Sequence, residues 1–481
     1  MFPTIIQGGM GVAVSNYRLA KAVSKSGSLG GVSGTMLDTV LARRLQDGDL
    51  DGSIRRAMNS FPFKEISSRV LEEYFIEGGK NAGEPYKVVP MHNMKSSARL
   101  VELTMLANFV EVFLAKEGHA GVVGINYLTK IELPTLASLY GAMLADVDFV
   151  LMGAGIPRAI PGILDRLSEM KAVSMKIDVE GSCADDNYTI EFDPSEYPVS
   201  QSRLKRPKFL AIVSSSVLAQ SLAKKSSGKV DGFVVEHHSA GGHNAPPRGG
   251  VKVDANGEPI YGPKDELDTE SFRKLGLPFW LAGGYGSPQG FKKSLESGAT
   301  GVQVGSLFAF CNESGIADYI KKKVIELVKS GNGSVFTDPF ASASSYPFKV
   351  VPVNSTLSED EIYITRKRIC DLGYLRQAYK KEDGTVGFRC SGEPVELFTQ
   401  KGGSEDATCS KKCLCNGLMS TVGLAQVQSD GYVEPPLVTA GKYLEEIASI
   451  VGEDKDSYSA ADVLKHITES NRAGEFSQLS A

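Results

Sequence analysis

Three of the six histidines in this 481-residue chain fall within seven positions, in the run Glu236-His237-His238-Ser239-Ala240-Gly241-Gly242-His243-Asn244. Imidazole titrates near neutrality, so a positioned histidine removes a proton from a substrate or stabilises an anion. His243 directly follows Gly241 and Gly242, whose missing Cβ lets the backbone pass close beneath a phosphate. It is therefore the candidate catalytic residue, with His237 and Arg248 as candidate substrate-binding side chains nearby. A metal site made by Glu236, His237, His238 and His243 is the competing reading. It is disfavoured because consecutive residues of a strand point to opposite faces, which also sets His238 away from His237.

Two further glycine clusters have the chemistry of a phosphate cradle. Ala282-Gly283-Gly284-Tyr285-Gly286 and Gly301-Val302-Gln303-Val304-Gly305-Ser306 each end an apolar run. Glycine N–H groups approach phosphate oxygens unhindered, the helix opening at Leu307 adds positive potential, and Ser306 adds a hydroxyl. Ordinary tight turns would read the same way. Near the start, Gln7-Gly8-Gly9-Met10-Gly11-Val12 sets Gly9 and Gly11 around Met10, where a planar ring can lie against the backbone. No G-x-G-x-x-G fingerprint accompanies these segments, so one terminal phosphate, as in FMN, is expected rather than a dinucleotide.

The other clustered group is Cys370, Cys390, Cys409, Cys413 and Cys415. Four thiolates suffice for zinc or an iron–sulfur cluster. The spacing matches no common ligand pattern and lacks a C-x-x-C pair, so free thiols and no metal are expected.

What must position these residues is a set of short apolar runs, several of them ending directly in Gly, Ser or Asn before a helical stretch: residues 4–7, 29–33, 122–126, 149–153, 209–213, 232–236, 279–283 and 302–306. Eight such βα units predict an α/β fold, a TIM-type (β/α)8 barrel whose active site lies at the carboxyl ends of its strands. The barrel is placed over residues 1–335, with large insertions near 37–120 and 171–207, and residues 336–481 form a carboxy-terminal extension or lobe. Ser97 to Lys116 is expected to be helical, the second insertion to hold short strands and turns, and Lys321-Lys322-Lys323 to be a solvated helix face.

Composition narrows the function. With 42% hydrophobic and 23% charged residues the chain buries a large core. A net charge of −5, from 52 basic against 57 acidic residues, leaves no basic surplus for nucleic acid. No run of 18 apolar residues and no signal-like amino terminus is seen, and the cysteine count of seven is odd. A cytoplasmic protein with no membrane partner is expected, its oligomeric state open.

The segments IIQGGMGVAVS, GINYL, AIVSS, EHHSAGGHN, LAGGYGSP and GATGVQVGSLFAF, in this order, resemble the nitronate monooxygenase or 2-nitropropane dioxygenase-like family, which includes FMN-dependent enoyl-acyl-carrier-protein reductases. The resemblance implies bound FMN, with Met10 and Gly11 at the isoalloxazine, Asn126 at the third strand, and Gly242, Gly283, Gly284, Gly305 and Ser306 around the phosphate. It makes His243 the catalytic histidine of the AGGH element. The chain departs from the family at His237, where a smaller residue is common, and in its insertions and long tail.

The activity expected from this resemblance is oxidation of a nitronate, or a related small anion, by O2 to a carbonyl compound and nitrite. The alternative is an NAD(P)H-dependent FMN enoyl-thioester reductase. A barrel like that of inosine monophosphate dehydrogenase is disfavoured, because no cysteine nucleophile lies between Cys183 and Cys311. A non-catalytic flavin-binding module is the remaining reading.

Overall fold

The computed structural model describes residues 2–200 and 202–477. Eight parallel strands form a closed barrel: Ile5–Gln7, Leu29–Ser33, Val123–Leu128, Phe149–Gly153, Lys208–Val213, Gly232–Glu236, Phe279–Ala282 and Gly301–Val304. Each pairs with its neighbours in sequence, and the first closes on the eighth through Ile5 opposite Val302 and Gln7 opposite Val304. These runs are almost wholly apolar because the strands are covered on both faces. Inside, Ile6, Leu151, Leu210, Val234 and Trp280 form a packed plug. The Trp280 indole donates to Pro3 O at 2.8 Å, and Phe2 packs edge-on against it, which seals the amino end. Space for a ligand is left at the carboxyl end.

Between strands two and three lie four helices, Leu37–Gln46, Ser53–Ser60, Lys64–Tyr74 and Ala98–Lys116. Ser97 caps the last of these by accepting the Leu100 N–H at 3.3 Å. That helix is apolar nearly all round and is correspondingly buried, packing on helix Thr135–Leu144, where Gly141 has no Cβ to collide with the Met105 backbone. Between strands four and five, Val173–Lys176 pairs antiparallel with Thr189–Phe192. The short strand Val179–Glu180 instead joins Gln377–Lys380 and Val386–Arg389 in a three-stranded sheet.

The chain after residue 335 supplies a hairpin, Phe336–Asp338 with Phe348–Val350, and the helices Leu414–Thr421 and Ala460–Ser477, among others. It shares a core with the barrel: Val438, Leu444, Ile447 and Val463 pack in one cluster with Ile5 and Val302. Tyr458 donates its hydroxyl to Leu307 O at 2.7 Å. One sequence expectation fails nearby. Lys321, read as solvated, is buried, and its ammonium donates to Asn312 O and Ser314 O at 3.1 and 3.0 Å, because the preceding loop folds beneath the helix.

Candidate active site

A cavity of about 340 Å³ opens at the carboxyl ends of the strands. Its floor begins at strand one. Buried Gln7 reaches across to strand two, donating to Gly31 O at 3.1 Å and accepting from Gly31 N at 3.0 Å. Ser15 then staples the following turn, donating to Gly8 O at 2.9 Å and accepting from Met10 N at 2.8 Å. Gly9, Met10 and Gly11 line the cavity, as does Asn126. The Gly9 position is glycine for packing: a Cβ there would overlap Asn126 and come within 2.8 Å of Val32 O. Met10 projects toward strand eight, where its sulfur would lie 3.5 Å from a Cβ at position 305.

Strand six ends at Glu236, and regular alternation ends with it. His237 and His238 do not point apart as a continuing strand would require: their rings pack together at a 39° tilt, with centroids 3.9 Å apart, and His238 stacks on Tyr261 at 4.1 Å. His237 bonds Ser239 Oγ through Nδ1 at 2.7 Å and does not line the cavity. Among the described residues, ligand atoms of His237, His238 and Glu266 lie within 4.8 Å of one another. Glu236 and His243 are not part of that group. Arg248 also lies outside the cavity lining; its guanidinium donates to Ser214 O at 2.7 Å and to Lys264 O on an exposed loop.

His243 lines the cavity, as do Glu236, Gly241 and Gly242. Its Nε2 meets Ser342 Oγ at 2.8 Å, and Phe348 packs edge-on with centroids 4.9 Å apart. Burial in this apolar corner pushes the imidazole pKa down to about 4. At neutral pH His243 is therefore uncharged, able to accept a proton or donate a single N–H. Glu236 moves the opposite way: burial raises its carboxyl to about 7.

The glycines divide into two kinds. Gly283 and Gly284, both with positive φ, and Gly241 are closed in by protein. A Cβ on Gly284 would overlap the Tyr443 ring, one on Gly241 would lie 2.9 Å from the Ala440 and Gly441 backbone, and one on Gly283 would lie 2.9 Å from Ser239 Oγ. Gly242 and Gly305 differ, since a Cβ on Gly242 would meet nothing within 4 Å and one on Gly305 only Met10. Beside Gly305, Ser306 begins a single helical turn, Ser306–Ala309, and accepts the Gly441 N–H at 2.6 Å. The hydroxyl proton of Ser306 stays free to be donated.

Several contributors escape sequence reasoning. Residues 437–446 strap the cavity through backbone contacts: Gly242 N donates to Thr439 Oγ1 at 3.1 Å and Lys442 N to Ser239 O at 2.9 Å. Such a segment has no periodicity to read. Lys349 is fully buried, donating to His238 O and Asn244 Oδ1 at 2.7 Å and Thr337 Oγ1 at 3.2 Å. Its one legible sign was a lysine inside the apolar run Phe348 to Val351. Gln303 lines the cavity with a buried Oε1 that has no hydrogen-bond partner among the described residues, and a polar residue inside strand eight was a usable signal.

With this geometry, residues 174–343 match the nitronate monooxygenase family. The chain resembles that family. The matched segment holds strands five to eight, including His243, Gly283, Gly284, Gly305 and Ser306. Over 140 residues the chain is 29% identical to a probable nitronate monooxygenase of Bacillus subtilis (strain 168), covering 29% of this chain and 38% of that relative. The match thus spans well under half of the relative's length. Among solved structures, the enoyl reductase domain of MlnA from the macrolactin biosynthesis cluster of Bacillus amyloliquefaciens aligns over 99% of this chain and 95% of its own, with a TM-score of 0.50 and 11% identity. FabK from Thermotoga maritima aligns over 99% and 96%, with a TM-score of 0.47 and 14% identity. At such identities, the MlnA likeness speaks for a common fold alone. The nitronate monooxygenase-like segment therefore carries the half of the barrel in which Gly242, Gly283, Gly284, Gly305 and His243 lie.

Proposed function

We propose that the chain is an FMN-dependent oxidoreductase that oxidises a nitronate, or a related small anion, with O2 to a carbonyl compound and nitrite. The observation that carries this reading is the pairing of neutral His243 with the open positions Gly242 and Gly305 around one cavity. FMN fits the residues present. Gly242 and Gly305 leave room for a phosphate, the Ser306 hydroxyl has a proton to give it, and the unpartnered Gln303 Oε1 awaits a donor. When bound, FMN supplies the electron acceptor for the substrate and the donor to oxygen.

The chain's own residues bind and orient. Met10, Gly11 and Asn126 form the wall for the flat ring, while Gly241, Gly283 and Gly284 hold the turns and the strap in register. His243 donates one ring N–H to an oxygen of the anion, or takes the proton when the substrate arrives as the neutral nitro compound. His237 and Arg248, outside the cavity lining, meet the substrate only on its approach.

A second reading, the NAD(P)H-dependent enoyl-thioester reductase, is favoured by one feature: the apolar wall of Leu375, Leu414 and Leu418, which offers an acyl chain a surface. Purified protein given a nitronate in air is expected to consume O2 and release nitrite. Oxidation of NADPH by an enoyl thioester, with no nitrite from any nitronate, would select the second reading.

A further inference from the structure

Four of the five cysteines beyond the barrel converge. Cys370, Cys390, Cys413 and Cys415 line one small void, while Cys409 is exposed and stands apart. They arrive from three separate stretches of chain: the loop before strand Gln377–Lys380, the end of strand Val386–Arg389, and the start of helix Leu414–Thr421. That separation explains why their spacing resembles no compact ligand motif.

These sulfurs sit among polar groups rather than in an apolar niche, and the Cys413 thiol donates to Ile369 O at 3.6 Å. Cys370 and Cys390 are within hydrogen-bonding distance, which holds Cys390 down and Cys370 up. Backbone N–H groups point at three of the four: Gly392 and Glu393 at Cys390, Asn416 at Cys413, and Tyr374 and Leu375 at Cys415. The Asn416 side-chain amide adds a donor to Cys413 at 3.6 Å. The Arg376 guanidinium lies close enough to act on Cys370, Cys390 and Cys415. Donors gathered around sulfur would share the charge of a metal-bound thiolate. Burial raises Cys413 and Cys415, so without a cation these sulfurs keep their protons, and a soft metal would displace them on binding.

Local architecture points the same way. Residues 366–415 contain one two-stranded hairpin, one helix of six residues and a 3-10 turn, and otherwise irregular chain. In a segment with so little regular structure, a link between distant turns restrains the most chain. The four sulfurs sit at its corners.

We propose that Cys370, Cys390, Cys413 and Cys415 together form a four-thiolate site for a soft metal, held either as a single zinc ion or as an iron–sulfur cluster. Among the described residues no three of these sulfurs lie within 4.8 Å of one another, so metal binding draws them inward or bridges them through a cluster. Cys415 and Leu414 line both this void and the large cavity, so the centre borders the candidate active site.

The test is metal and sulfide analysis, with an absorption spectrum, of the full chain purified under reducing, anaerobic conditions. The proposal expects about one zinc per chain, or about two to four irons with matching sulfide. That metal should be absent from Cys413→Ser/Cys415→Ser and retained in Cys183→Ser/Cys409→Ser, whose cysteines are exposed. Should the first variant not fold, Co(II) titration of metal-stripped wild type decides, with intense sulfur-to-cobalt absorption saturating at one equivalent. Wild type that carries no metal and takes up no Co(II) would overturn the proposal.

Discussion

His243 Nε2 and Ser342 Oγ lie 2.8 Å apart and tie the loop after strand six to the chain beyond the barrel. The imidazole thus faces the cavity with one nitrogen already held. His243→Ala should keep its fold and its flavin while turnover falls ~10²- to 10⁴-fold, the usual contribution of a positioned acid or base. Ser342→Ala should cost less and act through orientation. Near-normal turnover in His243→Ala, with flavin and melting temperature unchanged, would remove it from the chemistry.

The depressed pKa of His243 also sets a stability window. Its folded value is about 4, below the ordinary 6.5, so between these values the unfolded chain binds the proton more readily. The stability tied to neutral His243 is complete above about pH 6.5 and is lost as pH falls toward 4. Urea unfolding at pH 7 and pH 5 should show a smaller loss in His243→Gln than in wild type. Equal losses would mean that the imidazole is not held neutral by its surroundings.

Two glycine substitutions separate cradle from packing. Gly305→Ala places a Cβ 3.5 Å from Met10 at an ordinary negative φ, so the protein should fold normally and bind FMN more weakly. Gly305→Asp should impair loading further through bulk and like charge. Gly284→Ala should instead destabilise by ~1–3 kcal/mol, because φ is +85° and the new methyl collides with Tyr443. Melting temperature and bound flavin, measured on both, would refute the division if the two variants behaved alike.

Lys349→Met should be among the more damaging single changes. It leaves His238 O, Asn244 Oδ1 and Thr337 Oγ1 without their shared donor, each unpaired buried acceptor costing ~1–3 kcal/mol. Because those acceptors flank His243, flavin binding should weaken together with stability. A variant as stable as wild type in thermal unfolding would show that the ammonium contributes nothing net.

Much of this was legible in the residues. All eight barrel strands lie where short apolar runs were read, because a parallel strand covered on both faces has to be apolar along its length. The long helix after Ser97 was equally plain from its composition and cap. The histidines were harder to place. Strand six stops at Glu236, so the two-residue alternation that would separate His237 from His238 no longer applies, and their rings pack together instead. Thr439, Gly441 and Tyr443 reach the site through backbone contacts and one ring, which no local pattern encodes. The convergence of Cys370, Cys390, Cys413 and Cys415 likewise depends on tertiary folding of segments more than 20 residues apart in part.

The most direct measurement is the absorption spectrum of purified wild-type protein, taken before and after anaerobic addition of a nitronate. The proposed function predicts flavin bands from noncovalent FMN, released on denaturation at about one per chain, and bleaching of those bands by the nitronate with recovery on admitting air. Protein that is colourless and takes up no added FMN would contradict it at its root.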